Sequence, residues 1–172
     1  QAESPPVPLE KVAPRTNFSE TAFFYPHLTT DAKGEIKINF TIPEALTRWK
    51  MMGFAHTKDF KTGTISNELI TQKDVAVMVN APRFLREGDT LELAAKVNNL
   101  TENNLQGEIV LQLFDALSEK PITEMLLQDE ANQSFELNSK ASKGLRWQIV
   151  VPNDVQAVKY RVLARAGKHT DG

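Results

Sequence analysis

The side chains best equipped for chemistry are three histidines, His27, His56 and His169, and the run Ser19-Glu20-Thr21. The histidines lie far apart along the chain, and none stands at metal-ligand spacing from another, so no metal site is read from them. His56-Thr57-Lys58-Asp59 sets an imidazole near a carboxylate, but nothing supplies a nucleophile, and the run reads as a polar cluster at a strand end. A nucleophilic Ser19 would need a base and an oxyanion hole in a defined cleft. Ser19-Glu20-Thr21 reads instead as a turn entering a strand. The eight glycines never gather into a phosphate-cradling loop. With no cysteine, the chain has no thiol nucleophile, disulfide, iron–sulfur or zinc–thiolate site of its own. No catalytic, cofactor-binding or metal-binding residue is assigned. Asn17, Asn39, Asn99 and Asn132 open glycosylation triplets, which are common by chance and would carry no meaning if the chain were bacterial.

The remaining candidates are aromatic. Phe23, Tyr25 and Trp49 could form an exposed sugar-binding platform, which would make the chain a carbohydrate-binding or adhesin-type module of the cell envelope. The competing reading buries them in a core, where aromatic side chains remove the most surface from water. Trp49 is expected between two sheets; Phe23 and Tyr25 stay open between the two readings.

The elements that must position these residues are strands. Ile36, Ile38, Phe40 and Ile42 alternate with polar residues, the period of a half-buried strand. Shorter extended runs are expected at Ala22–Tyr25, Trp49–His56, Thr64–Ile70, Val75–Val79, Leu91–Val97, Gly107–Phe114, Ile122–Leu127, Ser134–Leu137, Leu145–Val151 and Val158–Ala164. Gly107–Phe114 is apolar on both faces and is expected to be central in its sheet. Turn signals separate the runs, which is the signature of an antiparallel sandwich, and no amphipathic helix is evident. Pro5, Pro6, Pro8 and Pro14 mark residues 1–15 as an extended, solvated arm.

Composition narrows the partners. Twenty basic against 22 acidic residues give a net charge of −2, without the basic excess of a nucleic-acid binder or an anionic-membrane binder. At 41% hydrophobic and 24% charged, the chain is an ordinary globular one. No apolar run approaches the roughly 18 residues of a membrane span, and Gln1 is read as the start of a fragment or mature chain.

Four ordered motifs resemble one family. Thr16-Asn17-Phe18-Ser19-Glu20-Thr21-Ala22-Phe23-Phe24-Tyr25-Pro26 is followed by Asp31-Ala32-Lys33-Gly34 and by Phe40-Thr41-Ile42-Pro43-Glu44-Ala45-Leu46-Thr47-Arg48-Trp49. Ala55-His56-Thr57-Lys58-Asp59 and Ala81-Pro82-Arg83-Phe84-Leu85-Arg86-Glu87-Gly88-Asp89 complete the set. Together they resemble bacterial alpha-2-macroglobulin-like proteins over about residues 16–100.

That resemblance implies a non-enzymatic, broad-spectrum endopeptidase trap of the bacterial periplasm or exterior, built from tandem macroglobulin-like β-sandwiches of immunoglobulin or fibronectin type. The expected partners are target proteases, met through the full-length protein, and neighbouring macroglobulin-like domains. No nucleic acid, cofactor or membrane insertion by this segment is expected. The resemblance sets residues 16–78 after a protease-cleaved bait region, as the later portion of an interrupted sandwich, and 79–172 as the next complete one. An incomplete first sheet would leave an edge open to homo-association. The family's thioester cysteine is not in this chain, and the stretch at His169–Gly172 is expected to lead into a further strand.

Overall fold

Period-two alternation of apolar and polar residues dictates strands, and it governs most of the chain beyond Thr47. The computed structural model describes residues 8–172, and the chain divides into two units, 15–72 and 1–14 with 73–172. In the first unit, β1 (Arg48–His56) and β2 (Thr62–Ile70) pair antiparallel as a two-stranded hairpin, with Arg48 opposite Ile70 and His56 opposite Thr62.

The second unit holds β3 (Val75–Asn80), β4 (Thr90–Asn99), β5 (Leu105–Asp115), a one-turn helix α1 (Thr123–Leu126), β6 (Asn132–Leu137), β7 (Ser142–Val150), β8 (Val158–Ala166) and β9 (His169–Asp171). They form two antiparallel sheets, β3-β4-β7 and β6-β5-β8-β9. The core lies between them. Leu93, Ala95 and Val97 of β4 and Leu145, Trp147 and Ile149 of β7 face Ile109, Leu111 and Leu113 of β5 and Val162 and Ala164 of β8. Each strand contributes every second residue, as the pleat requires. β5 is central as expected, between β6 and β8. Gly107 sits opposite Phe135, and a Cβ there would strike the Phe135 ring and the Arg165 carbonyl.

Several expectations are corrected. Ala22–Tyr25 and Ile36–Ile42 are not ladder strands among the described residues. Alternation decides which side chains share a face, but a ladder also needs a neighbour. Ile36 and Phe40 stay 44% and 43% exposed, while Phe23 packs on Phe40 with ring centroids 4.4 Å apart. Trp49 lies on β1 of the hairpin, half-buried rather than enclosed between sheets, and the tryptophan of the sandwich core is Trp147. Ile122–Leu127 carries α1 in place of a strand. The segment passes from a bridge between Pro121 and Phe114 to one between Leu127 and Ile149, and its single turn drops Leu126 into the core.

Val75–Asn80 pairs with β4, and the two compact units part between Gln72 and Lys73. His169–Asp171 is itself a strand, pairing with β8. The arm is not simply extended and solvated. Leu9–Lys11 makes a turn of 3-10 helix, and Val12 is buried in the second unit. Pro5 and Pro6 lie outside the described residues.

Candidate interaction surface

In the 15–72 unit, side chains of the motif segments hold one another. The Glu44 carboxylate accepts the Thr16 and Asn17 backbone N–H groups at 2.8 and 2.9 Å, and the Glu44 N–H donates to the Asn17 carbonyl at 2.7 Å. A carboxylate taking two backbone donors is a charge-assisted tie, stronger than a neutral one. Thr71 is a second hub. Its hydroxyl donates to the Ala45 carbonyl at 2.6 Å and accepts the Trp49 indole N–H at 3.0 Å, while its own N–H donates to the Thr47 carbonyl at 3.0 Å. These bonds fasten the chain entering β1 to the chain leaving β2. Nothing in the period-two pattern marks Glu44 or Thr71 for these roles.

The hairpin they hold is open to water. Every residue of β2 is exposed, as are Met52 and Phe54 of β1. At the tip the Thr57 N–H donates to the Lys61 carbonyl at 2.9 Å, and Phe60 stands in the left-handed region, φ 63°, with 89% of its surface exposed. Hairpins often place glycine at such a position, so an aromatic residue there is both strained and wet. The Asp59 carboxyl is held below the ordinary carboxylate range, first by a hydrogen bond from the Thr57 side chain and then by Lys61, whose ammonium lies 3.2 Å away. His56 points Nδ1 at the Thr57 carbonyl, 3.2 Å away. The acid–base grouping considered at His56–Asp59 is thus a turn network.

The other candidates disperse. His27 and the Ser19 turn are exposed, and the Ser19 N–H donates to the Asn17 side chain at 3.2 Å. Phe23 and Tyr25 stack on each other, centroids 5.4 Å apart, and no ring contact joins Trp49 to them among the described residues. No group of three or more histidine and acidic side chains is placed to hold a metal among the described residues. Asn99 is fully buried. It donates to the Asn103 and Asn138 carbonyls at 2.7 and 2.9 Å and accepts from the Thr101 hydroxyl at 2.8 Å. The Asn99-Leu100-Thr101 triplet therefore serves a loop, not a sugar.

One grouping was not foreseen. Asp171 is fully buried, accepts the Val77 N–H at 2.8 Å and faces the Lys73 ammonium at 2.9 Å; beside it His169 Nδ1 lies 3.2 Å from the Asp74 carboxylate. The last strand of the sandwich is thereby bonded to the first, immediately after Gln72. A buried aspartate in a final short strand has no local sequence signal, because its partners are about ninety residues away.

A seven-stranded antiparallel sandwich following a hairpin-bearing unit is the all-β architecture of macroglobulin-like domains. The model of the alpha-2-macroglobulin family matches residues 21–111, just over half of the chain, and the chain belongs to that family. It is 26% identical over 139 residues to an alpha-2-macroglobulin of Thermotoga maritima and 31% identical over 99 residues to an alpha-2-macroglobulin homolog of a Nostoc species. These stretches are 81% and 55% of this chain, but only 8% and 5% of the relatives. Among solved structures, Escherichia coli alpha-2-macroglobulin activated by porcine elastase is similar over 93% of this chain and 15% of its own, with a TM-score of 0.63 and 19% identity. The chain thus spans less than a tenth of the length of the two curated relatives.

Proposed function

We propose that this chain is a non-catalytic scaffold segment of a broad-spectrum endopeptidase trap, lying next to the bait region of a longer periplasmic or extracellular bacterial protein. The observation that carries this reading is the family match over 21–111, which takes in the hairpin, β3, β4 and most of β5. The E. coli relative's activation by elastase, a protease, supports target proteases as the partners of the full-length protein. Neighbouring macroglobulin-like domains, and homo-association through an open sheet edge, are the other partners of this reading. On the same reading, the 16–78 segment as far as β3 is the later portion of a sandwich that the bait region interrupts, and the 79–172 segment together with β3 is a complete sandwich beyond it. The exposure of Ile36 and Phe40 in this alternating run supports an absent neighbouring strand. Packed sandwiches move as rigid bodies and concentrate motion at their boundaries, which suits a scaffold that passes on the release of a cut segment. No helix among the described residues is long and apolar enough to cross a membrane.

The test uses elastase and a large protein substrate. The longer protein containing this segment should protect the substrate at near-stoichiometric amounts, and the 172-residue chain should give no protection. Protection by the short chain alone would overturn the scaffold role, and none by the longer protein would overturn the trap.

A further inference from the structure

Three edges of the sandwich are capped or short, and the nine-residue edge of β2 is neither. On β3, the Val77 N–H is taken by Asp171. On β7, the Gln148 N–H donates to Asp129 at 2.6 Å and its carbonyl accepts the Gln128 N–H at 2.9 Å. β9 is only three residues long. In the hairpin, β1 carries Arg48 and Lys50, cations of the kind that protect edges. β2, Thr-Gly-Thr-Ile-Ser-Asn-Glu-Leu-Ile, has nine residues, no proline, no cation and a single charge, and among the described residues it pairs only with β1.

The direction of its free backbone groups follows from the printed bonds. Thr71 bonds to Thr47 and Thr57 to Lys61, so the odd-numbered residues of this register exchange hydrogen bonds across the hairpin. The even-numbered residues of β2, from Thr62 through Ser66 to Ile70, therefore aim N–H and C=O at the open edge. The Glu68 N–H, one of these, is met at 2.9 Å by the side chain of the preceding Asn67.

We propose that this edge pairs with the β2 edge of a second copy, antiparallel about a two-fold axis at Ser66. That register overlaps the whole strand and sets outward-facing residues opposite each other: Ser66 against Ser66, Thr64 against Glu68, Thr62 against Ile70. Each such pair exchanges two hydrogen bonds. The only charge in the strand falls opposite a threonine. The two Glu68 residues lie four positions apart along the joint, roughly 13 Å at ~3.4 Å per residue, beyond the Debye length of ~10 Å at 0.1 M salt. A register centred on Glu68 would set the carboxylates face to face, and one centred on Thr64 would shorten the overlap. Leu69 would cover Gly63 of the other copy, and the two hairpins would become one four-stranded sheet. This inference rests on the strand edge alone and not on the trap reading, so either can fail without the other.

Sedimentation equilibrium of the 172-residue protein should show a dimer. Ser66→Pro removes an N–H that β1 does not use, and Ser66→Lys places two cations at the axis. Each should weaken association on the order of tenfold or more while leaving the circular dichroism unchanged. Because the chain has no cysteine, introduced thiols report the register without background. An equimolar mixture of Ile65→Cys and Asn67→Cys proteins should form the mixed disulfide under mild oxidation faster than either alone, since such unbonded pairs bring Cα atoms to about 4.5 Å. A monomer, a dimer that ignores both Ser66 substitutions, or like disulfides outpacing the mixed one would overturn the proposal.

Discussion

The indole of Trp147 is fully buried and donates to the Ala131 carbonyl at 3.2 Å, whereas Trp49 is half-buried and spends its N–H on Thr71. Truncating the first removes packing on both sheets, so Trp147→Ala should cost about 3–5 kcal/mol. Trp49→Phe keeps much of the ring and loses one hydrogen bond, about 1 kcal/mol. Urea titration of both variants checks the order; equal losses would show that Trp49 holds more than the hairpin. Asp115 gives a prediction in pH. Its carboxyl lies below the ordinary value of 3.8, chiefly because the Ser118 N–H and then the Ser118 hydroxyl donate to it, at 2.7 and 2.8 Å. A lowered folded pKa stabilises the native state above the unfolded value and loses that contribution as pH falls through the folded one. The urea midpoint should therefore drop below about pH 4, and Asp115→Asn should flatten part of that drop. An unchanged acid profile in the variant would remove Asp115 from the account.

At the scale of elements, the long strands were legible where a neighbour exists to complete them, while the three-residue β9 was not. Leu93, Ala95 and Val97, or Leu145, Trp147 and Ile149, announce a buried face, and the sandwich supplies the opposite sheet. Ile36, Ile38, Phe40 and Ile42 announce one equally well, yet no ladder forms, because hydrogen bonding is a property of two segments and alternation of one. α1 was missed for the opposite reason. Ile122, Leu126 and Leu127 are as apolar as a strand, and only the need to cross between sheets makes the backbone turn; the Thr123 hydroxyl accepts the Leu113 N–H at 2.9 Å and helps hold that turn. Of the surface, the motif residues were visible but their bonding was not: Glu44 and Thr71 act through partners 22–28 positions away.

For the molecule as a whole, order is unevenly spread. The 15–72 unit relies on a hairpin and a few side-chain ties, while the 73–172 unit has a closed core. Local opening follows burial, so brief trypsin treatment should cut first at Lys33, Lys37, Lys58 and Lys61. Cuts within β4, β7 or β8 should come later, despite Lys96, Lys143, Arg161 and Arg165. Mass spectrometry of early fragments decides the matter, and initial cleavage inside those strands would show that the sandwich is the weaker part.

Asp171 also has a consequence in time. It lies 94 residues beyond the Val77 amide it caps. A ribosome adding ~5–20 residues per second takes about 5–20 s to cover that distance. Throughout that interval β3 has been made and its edge is bare, with neighbouring nascent chains close at hand. The carboxylate that caps β3 is made long after β3 itself, so the edge it protects is most vulnerable during synthesis, when a chaperone would have to stand in for it.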